Sequence, residues 1–200
     1  MACAEKEYAQ FVAVSAFFYE GRVDRNEDEI ADGEMIVILS IYGHPGYNNE
    51  TLSNNFAVLK LAREVPDNIK PVKLPTPGTI IQPGMRGLVM GWGTSSVDGP
   101  NSEVLLKLDQ QLASDQDCQI NTGITIFDMT YMCAGGDFNA SVCMGDSGGP
   151  LIFENPEGDG DDVLIGFVSL GINPCGAEGI PALYSRVSSV LDWIATTIKA

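Results

Sequence analysis

The sequence predicts an all-β protein that ends in one short helix. Apolar runs of strand length recur along the chain, and glycine, proline, asparagine and aspartate separate them. No helical period is sustained between these runs, which favours strands over helices. In chain order, the predicted strands are Phe11–Val14, Met35–Ile41, Phe56–Leu61, Gly87–Met90, Val104–Leu108, Pro150–Phe153, Val163–Leu170 and Ala182–Val187.

The C-terminal segment differs from the rest of the chain. Ser188 is a residue type that caps helices, and the apolar residues after it recur at helical spacing. We therefore predict a short helix whose apolar face carries Val190, Leu191, Ile194 and Ile198.

A proline-rich segment divides the predicted strands into two groups. Prolines stand at positions 66, 71, 75, 77 and 83, and proline cannot donate to a sheet ladder. The segment is predicted to be a connector between two small β barrels or sandwiches, over residues 1–83 and 84–200.

Composition limits the classes of partner. The chain has 200 residues, 44% of them hydrophobic, which is enough to bury a sizeable core. Its formal charge of −16 argues against nucleic acid or an anionic membrane as a partner, because either would be repelled. No run approaches the ~18 apolar residues of a membrane span. The charges of Glu5, Lys6 and Glu7 argue against a signal peptide at the start of this chain.

The five cysteines leave two possibilities open. None has the CxxC spacing of a structural zinc site. In a reducing compartment all five would be thiols, whereas in a secreted protein four would pair and one would be left over. The sequons that begin at Asn49 and Asn139 are weak indicators of secretion and mark candidate glycosylation sites.

Two acidic stretches, Asp24–Glu34 and Glu157–Asp162, are predicted to be solvated loop tips. Calcium bound to the first stretch is the alternative, because several carboxylates in a short loop suit a hard cation. Otherwise we expect no cofactor and no metal.

The segment Gly-Asp-Ser-Gly-Gly-Pro at positions 145–150 indicates a nucleophile site. Its glycines let the backbone approach a bound carbonyl, so the N–H groups of Gly145 and Ser147 could point at one oxygen. A serine hydroxyl also needs a base, which is usually histidine. The chain has one histidine, His44.

Several motifs together resemble the chymotrypsin-like serine proteases, from about Cys3 onward. Besides positions 145–150, these are Gly91-Trp92-Gly93, Met132-Cys133-Ala134-Gly135 and Tyr184-Ser185-Arg186-Val187 before the final helix. The resemblance implies two six-stranded Greek-key β-barrels that form one peptidase-like domain, with the N-terminal barrel incomplete. It also implies an extracellular, secreted protein.

The resemblance assigns roles to individual residues. Ser147 takes the nucleophile position, and the amides of Gly145 and Ser147 take the oxyanion-hole positions. It also implies two disulfides, Cys118–Cys133 and Cys143–Cys175, which leave Cys3 unpaired.

The specificity pocket implied by the resemblance is lined by Ser141, Gly171 and Ala182, while Ser169 and Gly171 hold the substrate backbone. Without an aspartate at its base, the pocket favours an apolar residue before the cut. Leu170 stands where the family usually has tryptophan, so the pocket lacks one aromatic wall.

The catalytic base and acid depart from the family pattern. The family's histidine precedes a cysteine in a segment resembling Ala-Ala-His-Cys, and here Ala2 takes that position. Asn55 takes the position of the acid, and an amide cannot stabilise a protonated imidazole. His44 has the wrong spacing for a base, and we expect a surface-loop histidine beside Pro45.

Asp146 is a third departure. In the family, the aspartate before the nucleophile pairs with an amino terminus made by cleavage, and this chain offers no such partner. An unpaired buried carboxylate costs ~3–5 kcal/mol, so we expect the loop to rearrange and solvate Asp146, as in a zymogen with a poorly formed oxyanion hole.

Three functional hypotheses follow. The first is a non-catalytic homologue that binds a protein or peptide through the old cleft. The second is an active chymotrypsin- or elastase-like protease whose N-terminal part is missing from this sequence. The third is a decaying duplicate without function. We expect a monomer whose incomplete N-terminal barrel leaves a strand edge open for pairing.

Overall fold

The computed structural model describes residues 36–65, 71–124, 128–156 and 161–199, and two short strands before them. Within these ranges it has ten strands and two α-helices, and each predicted strand overlaps an observed one. The strands are β1 (Ala2–Cys3), β2 (Phe11–Val14), β3 (Ile38–Gly43), β4 (Ala57–Leu61), β5 (Arg86–Gly91), β6 (Leu106–Gln111), β7 (Tyr131–Ala134), β8 (Pro150–Phe153), β9 (Val163–Leu170) and β10 (Ala182–Arg186). The helices are α1 (Asp115–Thr122) and α2 (Leu191–Thr197).

The N-terminal sheet has four antiparallel strands in the order β1-β2-β4-β3. Strand β4 lies inside the sheet, with Tyr42 of β3 opposite Val58. The outer edge of β3 has no strand partner among the described residues, and Val37, Leu39 and Ile41 are exposed there. Such an edge can pair with another chain.

The C-terminal sheet has six strands in the order β6-β5-β8-β9-β10-β7, and all its neighbours are antiparallel. A bridge between Leu112 and Ala134, and a 2.9 Å hydrogen bond from the Ala113 N–H to the Cys133 carbonyl, join its two ends. The sheet therefore curls towards a barrel. Together with the four-stranded sheet and the terminal helix, it confirms the predicted fold class.

One core joins the two halves of the chain. Phe56 and Val58 at β4 pack in a single buried cluster with Leu164 and Phe167 of β9 and with Ile194 of α2. A separate core fills the curled sheet. Described residues of both halves of the chain therefore share this core.

The described part of the proline-rich connector, residues 71–83, runs against the start of β9. Lys73 donates its N–H to the Asp162 carbonyl at 3.0 Å and accepts at its own carbonyl from the Leu164 N–H at 2.8 Å. The neighbouring side chains of Val72 and Leu74 pack against the shared core. The connector is thus extended and contains no strand longer than one bridge in these residues.

Helix α2 is present as predicted, but it begins later than the sequence indicates. Ser188 lies in a short 3₁₀ helix, Val187–Ser189, and Val190 stands at the N-cap without a side-chain hydrogen bond. Val190 and Ile194 are buried in the shared core. Packing of the apolar face therefore sets the position of this helix, and a serine cap does not.

Helix α1 and strand β7 are elements that the sequence did not predict. The hydroxyl of Ser114 caps α1 by accepting from the Asp117 N–H at 3.0 Å, and Gly123 ends the helix with φ = 71°. Its only buried residue is Cys118, so no apolar period could reveal it. The cap residues Ser114 and Gly123 were the available signal.

Both implied disulfides are present. Cys118–Cys133 attaches α1 to β7, and Cys143–Cys175 attaches the segment before Ser147 to the loop after β9. Four of the five cysteines are therefore paired as the resemblance implied. No helix in the described part of the chain is long and apolar enough to cross a bilayer.

Candidate functional site

Ser147 lies exposed on the loop that leads into β8. The loop is held by hydrogen bonds from the Asp146 N–H to the Cys143 carbonyl at 3.1 Å and from the Gly148 N–H to the Val168 carbonyl at 2.8 Å. Gly145 has φ = 91°, a conformation that a side chain would strain. In the described part of the chain, the amides of Gly145 and Ser147 donate to no protein acceptor. An oxyanion hole at these amides stays a prediction.

The carboxylate of Asp146 is held by two backbone amides. One oxygen accepts from the Gly93 N–H at 2.8 Å, and the other accepts from the Cys143 N–H at 2.9 Å. This differs from the expected rearrangement towards solvent, since the side chain is only half-exposed. These amide donors stabilise the carboxylate because hydrogen bonds to a carboxylate are stronger than those between neutral groups.

The two glycines of the Gly91-Trp92-Gly93 turn leave the space that the Asp146 carboxylate occupies. A Cβ on Gly91 would lie 2.0 Å from Asp146 Oδ1, and a Cβ on Gly93 would lie 2.4 Å from Asp146 Cγ. Neither distance is compatible with a side chain. In the sequence this turn is only a family motif, whereas in the structure its glycines are required by an aspartate more than fifty positions later.

Asn55 is 2% exposed, and its Nδ2 donates to Ser169 Oγ at 3.0 Å. The structure thus brings the residue at the acid position against the serine implied to hold the substrate backbone. The amide is neutral and uses its donor on Ser169. It supplies no charge that could stabilise an imidazolium.

Hydrogen bonds to the C-terminal half of the protein hold the segment before Asn55. Leu52 and Asn54 both have positive φ, at 60° and 53°. Between them, Ser53 donates its hydroxyl to Asp128 at 2.6 Å, and the Thr130 N–H donates to the same carboxylate at 2.9 Å. Burial alone would raise the pKa of Asp128, but these hydrogen bonds outweigh it and hold the pKa below its usual range.

His44 serves the loop in which it lies. Its Nδ1 accepts from the Gly46 N–H at 3.1 Å, and its ring packs edge-on against Trp193 with 4.8 Å between centroids. Burial lowers the pKa of His44. His44 does not line the cavity that contains Ser147. These contacts favour the predicted non-catalytic role, although the ring is half-buried and not on the surface as expected.

We expect protonation of His44 to destabilise the fold. Because the pKa of His44 is lowered in the folded state, the unfolded chain binds the proton more tightly. Stability is then fully present above the unfolded pKa of ~6.5 and falls as the pH drops below it. His44→Phe keeps a ring on Trp193 but cannot be protonated, so urea unfolding at about pH 7.5 and about pH 5.5 should show a smaller acid loss in the variant. Equal losses would contradict the assignment.

Several predicted site residues lie wholly or partly outside the described residues. Ala2 lies in β1 beside Cys3, and only the strand pairing of these residues is described. The Asp24–Glu34 stretch lies outside the described residues, as do positions 157–160. Asp161 forms an ion pair with Lys73, and Asp162 accepts from the Asn155 N–H. The described residues contain no cluster of side chains that could hold a metal ion.

Two of the three residues predicted to line one specificity pocket line adjacent cavities, which share Val97, Cys143 and Cys175 in their walls. Ser141 lines a cavity of about 600 Å³ beside Asp146, whereas Gly171 lines a second cavity of about 250 Å³ with Ser147 and Ser169. Ala182 is buried in the core of the curled sheet. A Cβ on Gly171 would be 3.4 Å from the carbonyl of Val142, so Gly171 lies close to the residue that follows Ser141.

Apolar side chains surround the Ser147 cavity. Val97 and Met144 line it, and Met144 is 72% exposed. Trp92, in the turn beside Asp146, is also exposed. Exposed apolar groups around a concave surface are typical of protein-binding sites. The site offers a nucleophile and free amides but, within the described residues, no base for Ser147.

Comparisons with known proteins agree with the motifs. Residues 15–194 match the trypsin family model. Glucanase inhibitor protein 2 from Phytophthora sojae is 38% identical over 199 residues, covering 98% of this chain and 64% of that protein. Glucanase inhibitor protein 1 from Phytophthora infestans is 38% identical over 200 residues, covering 99% of this chain and 72% of that protein. The chain thus spans about two thirds of the length of these relatives.

Proposed function

Since this chain belongs to the trypsin family, we propose that it is a non-catalytic member that binds a protein partner and does not cut peptide bonds. The observation that carries this proposal is the buried Asn55, whose amide donates to Ser169. The same replacement in the well-studied Ser-His-Asp triad lowers turnover by about 10⁴-fold. Here the single histidine is in addition engaged with Gly46 and Trp193.

The proposed binding surface is the apolar rim of the Ser147 cavity, which carries Val97 and Met144. Two relatives are named as glucanase inhibitors, so we propose a glucanase as the partner. The two disulfides favour an oxidising compartment and support a secreted protein. A partner bound at this rim would bury apolar side chains that are now in water.

The test compares binding with hydrolysis. We expect the purified chain to leave apolar chromogenic peptides uncut and to resist labelling by a serine-directed fluorophosphonate. Calorimetry with purified glucanases should detect binding that Met144→Glu weakens at least about tenfold, which is ~1.4 kcal/mol. Ile120→Glu is the matched control, because Ile120 is 69% exposed on α1 and lines neither cavity.

Three outcomes would contradict the proposal. Peptide turnover that disappears in Ser147→Ala would show that the chain is a peptidase. Glucanase binding that survives Met144→Glu but not Ile120→Glu would place the partner elsewhere on the surface. Absence of binding to every glucanase would reject this class of partner.

A peptidase that gains its histidine from sequence outside this chain is the second candidate. The ordered Asp146 and the free amides of Gly145 and Ser147 favour it, because both belong to a nucleophile loop that could still stabilise an oxyanion. Coding sequence that places a histidine directly before Cys3 would support this candidate.

A further inference from the structure

The turn that carries the first sequon is fixed by its own side chains. Asn48 Oδ1 accepts from the Glu50 N–H at 2.9 Å and from the Thr51 N–H at 3.1 Å, and the Asn48 N–H donates to the Ser53 carbonyl at 3.1 Å. An asparagine that binds backbone N–H groups two and three positions later stabilises a turn. Asn49 therefore lies at the outer corner of an ordered loop.

The inner side of this turn is anchored to the C-terminal sheet. Tyr131 donates its hydroxyl to the Thr51 carbonyl, and the hydroxyl groups of Thr51 and Ser53 are 2.8 Å apart. Asn49 is exposed, and its amide makes no hydrogen bond within the described part of the chain. Modification of the Asn49 amide would thus break no contact of the folded protein.

The second sequon lies in a different environment. Asn139 has φ = 55°, and its N–H donates to the Gly176 carbonyl at 2.9 Å. Asn139 and Ser141 line the 600 Å³ cavity, and Ser141 is two residues from the disulfide-bonded Cys143. Closure of the disulfide at Cys143 competes with access of the glycosylating enzyme to this sequon. A glycan on Asn139 would also lie at the wall of the cavity.

We propose that Asn49 is an N-glycosylation site and that Asn139 is left unmodified. The donor is an oligosaccharide on a lipid pyrophosphate. The Asn49 Nδ2 forms a bond to the anomeric carbon of the sugar, and the bond from that carbon to the pyrophosphate oxygen breaks. The lipid pyrophosphate leaves with the electron pair, and the amide loses one proton to a base. The inference depends on passage through a secretory compartment, which the disulfides favour, and not on the glucanase partner.

Expression of the chain behind a secretory leader in a eukaryotic host tests this assignment. Peptide N-glycosidase F should lower the mass of the secreted protein, and mass spectrometry should find aspartate at position 49. Asn49→Gln should abolish the mass change completely, and Asn139→Gln should leave it unchanged. Thr51→Ser, which keeps the sequon, should retain the glycan, whereas Thr51→Val should lose it.

The mass change of the secreted protein and its variants decides whether the proposal holds. A secreted wild-type protein without a mass change would overturn the proposal, as would a mass change that survives Asn49→Gln. If Asn49→Gln is not secreted, Thr51→Val gives the same comparison. A glycan found on Asn139 alone would assign the site to the other sequon and reject the inference.

Discussion

Gly93→Ala is expected to destabilise the protein by roughly 2–3 kcal/mol, because the new methyl group would occupy the site of the Asp146 carboxylate. A Cβ at this position lies 2.4 Å from Asp146 Cγ and 2.5 Å from both carboxylate oxygens. The carboxylate would have to leave the two amides that now bind it. Urea unfolding measures the loss.

A double-mutant cycle tests whether this carboxylate is the cause. In an Asp146→Ala background the clash is absent, so Gly93→Ala should then cost less than about 0.5 kcal/mol. Gly43→Ala is the matched control, since a Cβ on Gly43 would meet nothing within 4 Å. Additive costs of Gly93→Ala and Asp146→Ala would show that the glycine is required for another reason.

Asn55→Asp is expected to destabilise the fold by about 3 kcal/mol near neutral pH and to restore no hydrolysis. The site is 2% exposed, and the one side-chain hydrogen bond assigned to Asn55 there is the bond to Ser169. A carboxylate would lose hydration and gain no cation in return. Without an imidazole, it would also have nothing to orient.

The pH dependence of this variant follows from the burial of its new carboxyl group. Burial should raise the folded-state pKa of that group above the unfolded value of ~3.9. The stability deficit is then small below pH ~4 and grows as the pH rises through the folded pKa. Thermal unfolding across this range should show the trend.

Asn54→Asp is the matched control, because Asn54 is half-exposed and its amide donates to the Gly46 carbonyl. We expect a smaller loss with weaker pH dependence. Equal pH profiles for the two variants would mean that burial at position 55 is not decisive. Peptide hydrolysis restored by Asn55→Asp would show that a base for Ser147 is present and contradict this expectation.

Strands were predictable where apolar runs were long enough to show. Phe11–Val14, Pro150–Phe153 and Val163–Leu170 were predicted with the observed bounds. The bounds of the remaining predicted strands shifted by up to three residues. The ends of strands were predicted less accurately because pairing with the neighbouring strand determines where each strand ends.

Elements held by few or scattered contacts escaped prediction. Helix α1 buries only Cys118, and the disulfide to Cys133 attaches it to the sheet. Strand β7 is a fully buried run of four residues, Tyr131–Ala134, which is too short for a period to emerge. Ser188 was expected to cap the final helix, but core packing of Val190 and Ile194 placed that helix later.

Residue order along the chain was sufficient to identify the family, the all-β fold and the neutral residue at position 55, because each depends on residue type at a known spacing. The disulfide pairs followed only from the resemblance to the family. Contacts between distant segments decided the rest. They bind Asp146 to the Gly93 amide and bury the Asn55 amide against Ser169. Such contacts join residues dozens of positions apart, and they exist only once the sheets have packed.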